Sequence, residues 1–86
     1  MTLPDNLYGV SAIDKNGVEY TFYGNGKAVA SDDTVYSYEI ESQDKTRMEY
    51  ILTMIKGGEE IYTVLDYSSD VYTITFDPLK ANNTDN

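Results

Sequence analysis

Residues 47–67 read RMEYILTMIKGGEEIYTVLDY, and this stretch predicts a β-hairpin. Gly57 and Gly58 supply the positive φ angles that a tight hairpin turn needs. On both sides of the turn, β-branched and aromatic residues recur with the period of a strand, and the flanking turns favour strand over helix between Arg47 and Lys56. We therefore expect two long antiparallel strands, 47–56 and 59–67.

The same alternation of strand and turn extends in both directions from this hairpin. Asn-Gly and Gly-rich turns are predicted at Lys15-Asn16-Gly17 and Gly24-Asn25-Gly26. The predicted strands are 7–14, 18–23, 27–31, 35–42, 47–56, 59–67 and 71–76. Pro78 cannot donate to a sheet ladder, so pairing should end before it. Consecutive hairpins predict an all-β, antiparallel up-and-down meander of about seven strands, which forms a small barrel or a flattened sandwich.

The length of 86 residues predicts one domain. We expect an N-terminal lead-in at 1–6, a single β-barrel domain at 7–77 and a flexible polar tail at 78–86. No apolar run approaches the length of a membrane span, so membrane insertion is not expected. The first residues lack the charged and apolar regions of a secretory signal, which leaves a cytoplasmic protein or the trimmed mature part of an exported one.

The chain contains neither His nor Cys, which removes disulfides, thiolate nucleophiles and thiolate metal sites. General acid–base catalysis would then need a carboxylate or a Tyr with a shifted pKa. The paired acids are Asp66 with Asp70, Asp32 with Asp33, and Glu59 with Glu60. All of these pairs lie in or beside predicted turns, where acids are ordinarily solvated. We expect no catalytic residue, no metal site and no cofactor, and hence not an enzyme.

Acidic side chains outnumber basic ones by 15 to 6, giving a formal net charge of −9. This balance argues against direct contact with a nucleic-acid backbone or an anionic membrane. One interpretation is that the charge keeps a sheet protein soluble. The other is an acidic inhibitor, of the phage-encoded or nucleic-acid-mimicking kind, that blocks a partner enzyme. Clustering of Asp and Glu on one folded face would favour the inhibitor.

A row of large side chains is predicted to face the interior of the sheet. Its candidate ligand-binding members are Tyr20, Phe22, Tyr36, Tyr38, Tyr50 and Met54. Two interpretations are open. The side chains either form a packed core in which each Tyr hydroxyl finds a partner, or they line a cavity for a small apolar ligand.

The strand 47–56 is apolar on both of its faces, which is unusual in a one-sided meander. Ile51 and Ile55 lie opposite the row of Tyr50, Leu52 and Met54. Tyr62 and Val64 should lie beside the two isoleucines across the hairpin. Either this strand is covered on both sides, or Ile51, Ile55, Tyr62 and Val64 form an exposed interface for a homodimer or for another protein.

The order of these signals resembles a small lipocalin-like domain of bacterial exported proteins. The matching pieces are Gly9, Tyr20-Thr21-Phe22, Asn25-Gly26, Tyr36-Ser37-Tyr38-Glu39-Ile40, Gly57-Gly58 and Tyr72-Thr73-Ile74-Thr75. The resemblance implies an up-and-down barrel without catalysis, in a protein located outside the cytoplasm. The functional hypothesis is a non-catalytic binding module for a small apolar ligand or a protein partner, and the alternative is the acidic inhibitor.

Overall fold

The structure, a computed structural model, describes residues 4–77. The predicted tail at 78–86 and the first three residues of the predicted lead-in therefore lie outside the described residues. The strands are β1 (Ser11–Ile13), β2 (Glu19–Phe22), β3 (Lys27–Ala30), β4 (Val35–Asp44), β5 (Glu49–Lys56), β6 (Glu59–Ser68) and β7 (Val71–Phe76). Within this range, no helix is long and apolar enough to cross a membrane.

The seven strands form a closed barrel in sequence order, which confirms the predicted all-β meander and selects the barrel over the flattened sandwich. Every sequential pair is antiparallel. The closing pair, β1 with β7, is parallel, because an odd number of alternating strands returns the last strand in the direction of the first. This closure is short: Ala12 lies opposite Tyr72, and Ile13 lies opposite Thr73.

Positive φ angles mark the tight turns of the barrel. Gly57 and Gly58 have φ angles of 57° and 82°, as the predicted hairpin requires. Ser69 and Asp70 adopt the same left-handed conformation, at 54° and 67°, although neither is a glycine. Gly9, with a φ of 78°, belongs to a turn that precedes β1, so this strand is shorter than the predicted 7–14.

The pairing of β4 with β5 contains a β-bulge. Ile40 lies opposite Leu52 and Ser42 lies opposite Ile51, so Glu41 is the extra residue between them. A bulge bends its strand and increases the local twist. Beyond the bulge β4 continues to Asp44, two residues past the predicted end at 42.

The barrel interior holds a single hydrophobic cluster. Its buried members are Leu7, Ala12, Tyr20, Phe22, Ala28, Ala30, Tyr38, Tyr50, Leu52, Met54, Leu65 and Ile74. Seven strands enclose a lumen that side chains of this size fill. The alternation of buried and more exposed residues along β5 and β6 follows the two-residue period of a strand, so each strand has one inner and one outer row.

Residues 4–7, which include the last three residues of the predicted lead-in and the first residue of the predicted strand 7–14, close one end of this barrel. Leu7 is completely buried in the hydrophobic cluster. The carbonyl oxygen of Pro4 accepts a hydrogen bond of 2.7 Å from the Tyr50 hydroxyl and one of 2.6 Å from the Gln43 side-chain amide. Residues 4–7 are thereby held against the end of the barrel at which β4 turns into β5.

Candidate functional site

The candidate ligand-binding residues all point into the barrel, where five of them are buried and Tyr36 is half-buried. They pack on each other and on their neighbours as aromatic pairs. The rings of Phe22 and Tyr38 meet edge to face at 4.9 Å, and those of Tyr20 and Tyr36 do so at 5.9 Å. Phe76 also packs edge to face against Tyr20, at 5.4 Å. The structure therefore assembles these residues as a packed core.

The polar ends of three of these tyrosines are satisfied by the protein itself. The Tyr20 hydroxyl donates to a carboxylate oxygen of Asp14 at 2.9 Å, and the Tyr38 hydroxyl donates to the carbonyl of Tyr23 at 2.9 Å. Tyr50 donates to the Pro4 carbonyl, as described above. Each of these hydroxyls thus has an acceptor within the protein, which would have to be displaced before the hydroxyl could donate to a ligand.

Two cavities lie at the seam between the first and last strands. One, of about 270 Å³, opens between the β1–β2 turn, at Asp14–Asn16, and the end of β7, at Ile74–Phe76. The other, of about 260 Å³, is more open and runs along β1 and the start of β7. None of the six candidate ligand-binding residues lines either cavity. Over residues 4–77, no group of three or more acidic side chains is arranged to hold a metal ion.

Asp14 and Tyr20 form the hydrogen-bonded pair whose titration the fold perturbs most clearly. Burial and the adjacent Asp14 carboxylate raise the pKa of Tyr20 far above its ordinary value. Burial alone would raise the pKa of Asp14, but hydrogen bonds from Val18, from Tyr20 and from other groups of the turn lower it overall. The carboxylate stays ionised and the phenol protonated at neutral pH. A group that transfers protons in catalysis needs a pKa near the working pH. The hydrogen bond between Asp14 and Tyr20 is therefore better suited to stabilising the β1–β2 turn.

The four candidate interface residues lie together on the outside of the barrel. We call Ile51, Ile55, Tyr62 and Val64 the outer patch. Ile51 lies directly opposite Val64, while Thr53 lies opposite Tyr62 and separates the two isoleucines along β5. Tyr62 is 38% exposed and the other three are half-buried.

The outer patch is separate from the hydrophobic core. The half-buried apolar residues that pack against the core belong to other positions: Val10, Val18, Tyr36, Ile40, Met48, Ile61, Tyr67, Tyr72 and Phe76. No strand of the described barrel forms a second layer over β5 and β6, because all seven belong to the one closed sheet. Within residues 4–77, the outer patch is therefore partly open to solvent.

Carboxylates from β4, β5 and β6 lie beside the outer patch and at both of its ends, whereas β7 contributes none. We call Glu39, Glu41, Asp44, Glu49, Glu60 and Asp66 the carboxylate rim. Glu60 lies opposite Ile55, and Glu39 lies opposite Thr53. Thr53 also donates a hydrogen bond of 2.9 Å to the Glu41 carboxylate, which brings the bulged residue onto the same face. At the far end, Glu49 lies between Asp44 and Asp66 and directly opposite both.

Sequence reasoning located the apolar part of this face and missed its charged part. The alternation in β4 correctly predicts that Glu39 and Glu41 face away from Tyr38 and Ile40. The carboxylate rim follows only from the register between strands, since its members come from β4, β5 and β6. Because the tight turn at Gly57-Gly58 fixes the register of the hairpin, counting residues back from it would have predicted that Glu49 pairs with Asp66.

No protein-family model, curated protein or solved structure matches the chain.

Proposed function

We propose that this protein is a non-catalytic binding module of lipocalin-like architecture, and that it binds a protein partner through the outer patch. The observation that carries the proposal is the position of Ile51, Ile55, Tyr62 and Val64 on the outer face of a barrel whose inner face is already packed. The closed seven-strand barrel agrees with the resemblance at the level of architecture.

Packing inside the barrel favours a protein partner over a small apolar ligand. Phe22, Tyr50 and Met54 are completely buried. A ligand in the lumen would have to displace side chains of this kind from a close-packed interior that has few voids. The outer patch requires no such rearrangement, because its side chains already lie at the surface.

The composition of the outer patch suits a protein interface. The outward face of an antiparallel sheet is ordinarily polar where it meets water. A cluster of Ile, Val and Tyr at this place leaves apolar area that a partner can remove from water, at about 25 cal/mol for each Å² buried. Tyr62 is the most exposed of the four, and tyrosine is among the residues that most often dominate binding energy.

The acidic inhibitor remains the second candidate, and the carboxylate rim is the observation that favours it. Six acidic side chains from three strands share one face with the outer patch. Both candidates use the same surface. They differ in their effect on the partner. An inhibitor blocks the activity of the partner, whereas a simple binding module leaves the partner active.

Photo-crosslinking tests the proposal directly. A benzophenone amino acid replaces Tyr62 in one variant and Tyr23 in the control, since Tyr23 is 47% exposed and lies outside the outer patch. After irradiation in lysate of the producing cells, we expect a discrete protein adduct from position 62 alone. The adduct should disappear when Ile51→Thr and Val64→Thr are added. Equal adducts from both positions, or an adduct that survives the two threonines, would overturn the proposal.

A further inference from the structure

We infer that the surface that docks on the outer patch is basic, with Lys or Arg side chains surrounding an apolar centre. This inference rests on the proposed function and specifies the chemistry of the partner. Its basis is the distribution of charge around Ile51, Ile55, Tyr62 and Val64, which the barrel register fixes.

The first observation is a row of like charges across three strands. Asp44 of β4, Glu49 of β5 and Asp66 of β6 occupy consecutive cross-strand positions on the outer face. Directly opposed like charges destabilise a sheet. A cationic surface placed over this row would relieve the repulsion, so binding of such a surface is favoured relative to the free protein.

The second observation is the excess of acids over basic residues at the outward positions of β4–β7. The outward positions of β4–β7 are Val35, Ser37, Glu39, Glu41, Ser42, Asp44, Glu49, Ile51, Thr53, Ile55, Glu60, Tyr62, Val64, Asp66, Ser68, Val71, Thr73 and Thr75. Acids occur six times in this set, and neither Lys nor Arg occurs. The basic residues of the described range lie in turns (Lys15, Lys45 and Arg47), on the inner row at the end of β5 (Lys56) and on β3 (Lys27). Lys27 reaches the edge of this face, where its ammonium donates a hydrogen bond of 3.1 Å to the Ser37 hydroxyl beside Ile55.

The same distribution argues against a second copy of this chain as the occupant. A two-fold symmetric dimer would bring one surface against itself. The carboxylate rim of one copy would then approach the rim of the other, with no basic side chain from the outward positions of β4–β7 to separate them. The homodimer that the sequence allowed is therefore the less favourable use of this face, and a different, basic protein is the more favourable one.

An acidic surface that binds a basic partner predicts a measurable dependence of binding on salt concentration. Opposite potentials steer two proteins together and set the choice of partner more strongly than they set the final affinity. Exposed charges are also screened by salt over about 8 Å at physiological ionic strength. Binding should therefore weaken as salt is added, and it should depend on the acids of the rim more than on acids elsewhere.

Three synthetic peptides of about 18 residues, long enough to form an amphipathic helix, serve as probes. One is built of Leu and Lys, one of Leu and Glu, and one of Ser and Lys. Each is titrated into labelled protein while amide and methyl NMR signals are followed. We expect the Leu/Lys peptide to shift the signals of Ile51, Ile55 and Val64, to bind roughly tenfold more tightly than the Ser/Lys peptide, and to weaken in high salt.

A matched pair of variants assigns the effect to the rim. The rim variant carries Glu49→Gln, Glu60→Gln and Asp66→Asn, and the control variant carries Glu19→Gln, Asp32→Asn and Asp33→Asn. Both lose three negative charges, and removing repulsion from the rim should not harm the fold. We expect the rim variant to bind the Leu/Lys peptide roughly tenfold more weakly, and the control variant to bind it nearly as well as the original protein.

The outcomes separate this inference from the function on which it rests. If the Leu/Glu peptide shifts the outer patch as strongly as the Leu/Lys peptide, the basic partner is wrong while the binding face stands. Equal weakening in both variants, or shifts spread over Glu19, Asp32 and Asp33, would also overturn the basic partner. If neither Leu-containing peptide shifts the outer patch, the proposed function itself is contradicted.

Discussion

Ile51 of β5 lies directly opposite Val64 of β6 on the outside of the barrel, whereas the neighbouring Leu52 and Leu65 are completely buried inside it. One hairpin therefore has a packed apolar row and a half-exposed apolar row on opposite faces. The inner row stabilises the fold. We propose that the outer row contacts a partner, and the two roles can be separated by substitution.

Replacing Ile51 and Val64 together by threonine should leave the barrel folded. Threonine keeps the β-branched shape that suits a strand, and an apolar cross-strand pair contributes only about 0.2–1 kcal/mol. We expect the free energy of unfolding, measured in urea, to fall by less than about 1.5 kcal/mol. The comparison variant Leu52→Ala should lose about 2–5 kcal/mol, because it leaves a cavity in the core.

Substitution of Ile51 and Ile55 by lysine is a harsher form of the same test. Both side chains point outward, so the lysines can reach water and the protein should retain its circular dichroism spectrum. Loss of the fold would mean that these positions are covered, since burying an unpaired charge costs several kcal/mol. That result would contradict the conclusion that Ile51 and Ile55 lie on a face that is open to solvent.

Replacing Glu49 by glutamine should stabilise the free protein. Glu49 lies directly opposite both Asp44 and Asp66, so removing its charge reduces the repulsion among three cross-strand acids. We expect a gain of about 0.5 kcal/mol in the free energy of unfolding at low salt, and a smaller gain at high salt, because screening already weakens the repulsion.

Glu19→Gln provides the matched control for that gain. Glu19 is exposed on β2, and its cross-strand neighbour on β1 is Ile13 and not an acid. The control should change the unfolding free energy less than Glu49→Gln does. An equal gain in both variants would assign the effect to net charge and not to the carboxylate rim.

Truncating Leu7 should test the segment that closes the barrel end. Leu7 is fully buried, so Leu7→Ala should cost about 2–5 kcal/mol. Tyr50→Phe removes the hydroxyl that donates to Pro4 and should cost about 1 kcal/mol. Urea unfolding of both variants measures the difference. If Leu7→Ala were as mild as Tyr50→Phe, residues 4–7 would not form part of the folded core.

The barrel should lose stability in alkaline solution. Burial is the largest cause that raises the pKa of Tyr20, Tyr36, Tyr38 and Tyr50 above the ordinary value of 10.0. The folded state favours the protonated phenols, so their contribution is complete below about pH 10 and is lost as pH rises through the folded-state pKa values. Unfolding free energy measured from pH 8 upward should therefore be flat and then decline.

Tyr50→Phe should make the alkaline decline in unfolding free energy less steep, because it removes one phenol whose pKa is raised in the folded state. Tyr23→Phe is the control, since the Tyr23 side chain is exposed. A decline of the same steepness in Tyr50→Phe and in the original protein would show that the buried phenol does not contribute to the pH dependence.

Local sequence patterns were sufficient to predict most of the barrel. Gly57-Gly58 fixes a hairpin through its positive φ angles, and the alternation around it assigns Leu52 and Ile51 to opposite faces of the strand. The same alternation places Tyr20, Phe22 and Tyr50 inside. These features depend on residues close together in the chain, where turn chemistry and the period of a strand act directly.

Other features depend on relationships between distant residues. The closure of β1 on β7 joins Ala12 to Tyr72, and no local pattern specifies it. The bulge at Glu41 shifts the register of β4, which determines the outer-face neighbours of Ile51. Six acids that are spread over residues 39–66 are brought to the same face as the outer patch by the register.

The measurement that tests the central claim most directly is native mass spectrometry of the protein purified gently from its source lysate, beside the Ile51→Thr, Val64→Thr variant. The account predicts a complex with another protein that the variant lacks, and a free monomer without added mass. A monomer of both forms that carries the same extra small-molecule mass would contradict it, because the ligand would then lie inside the barrel.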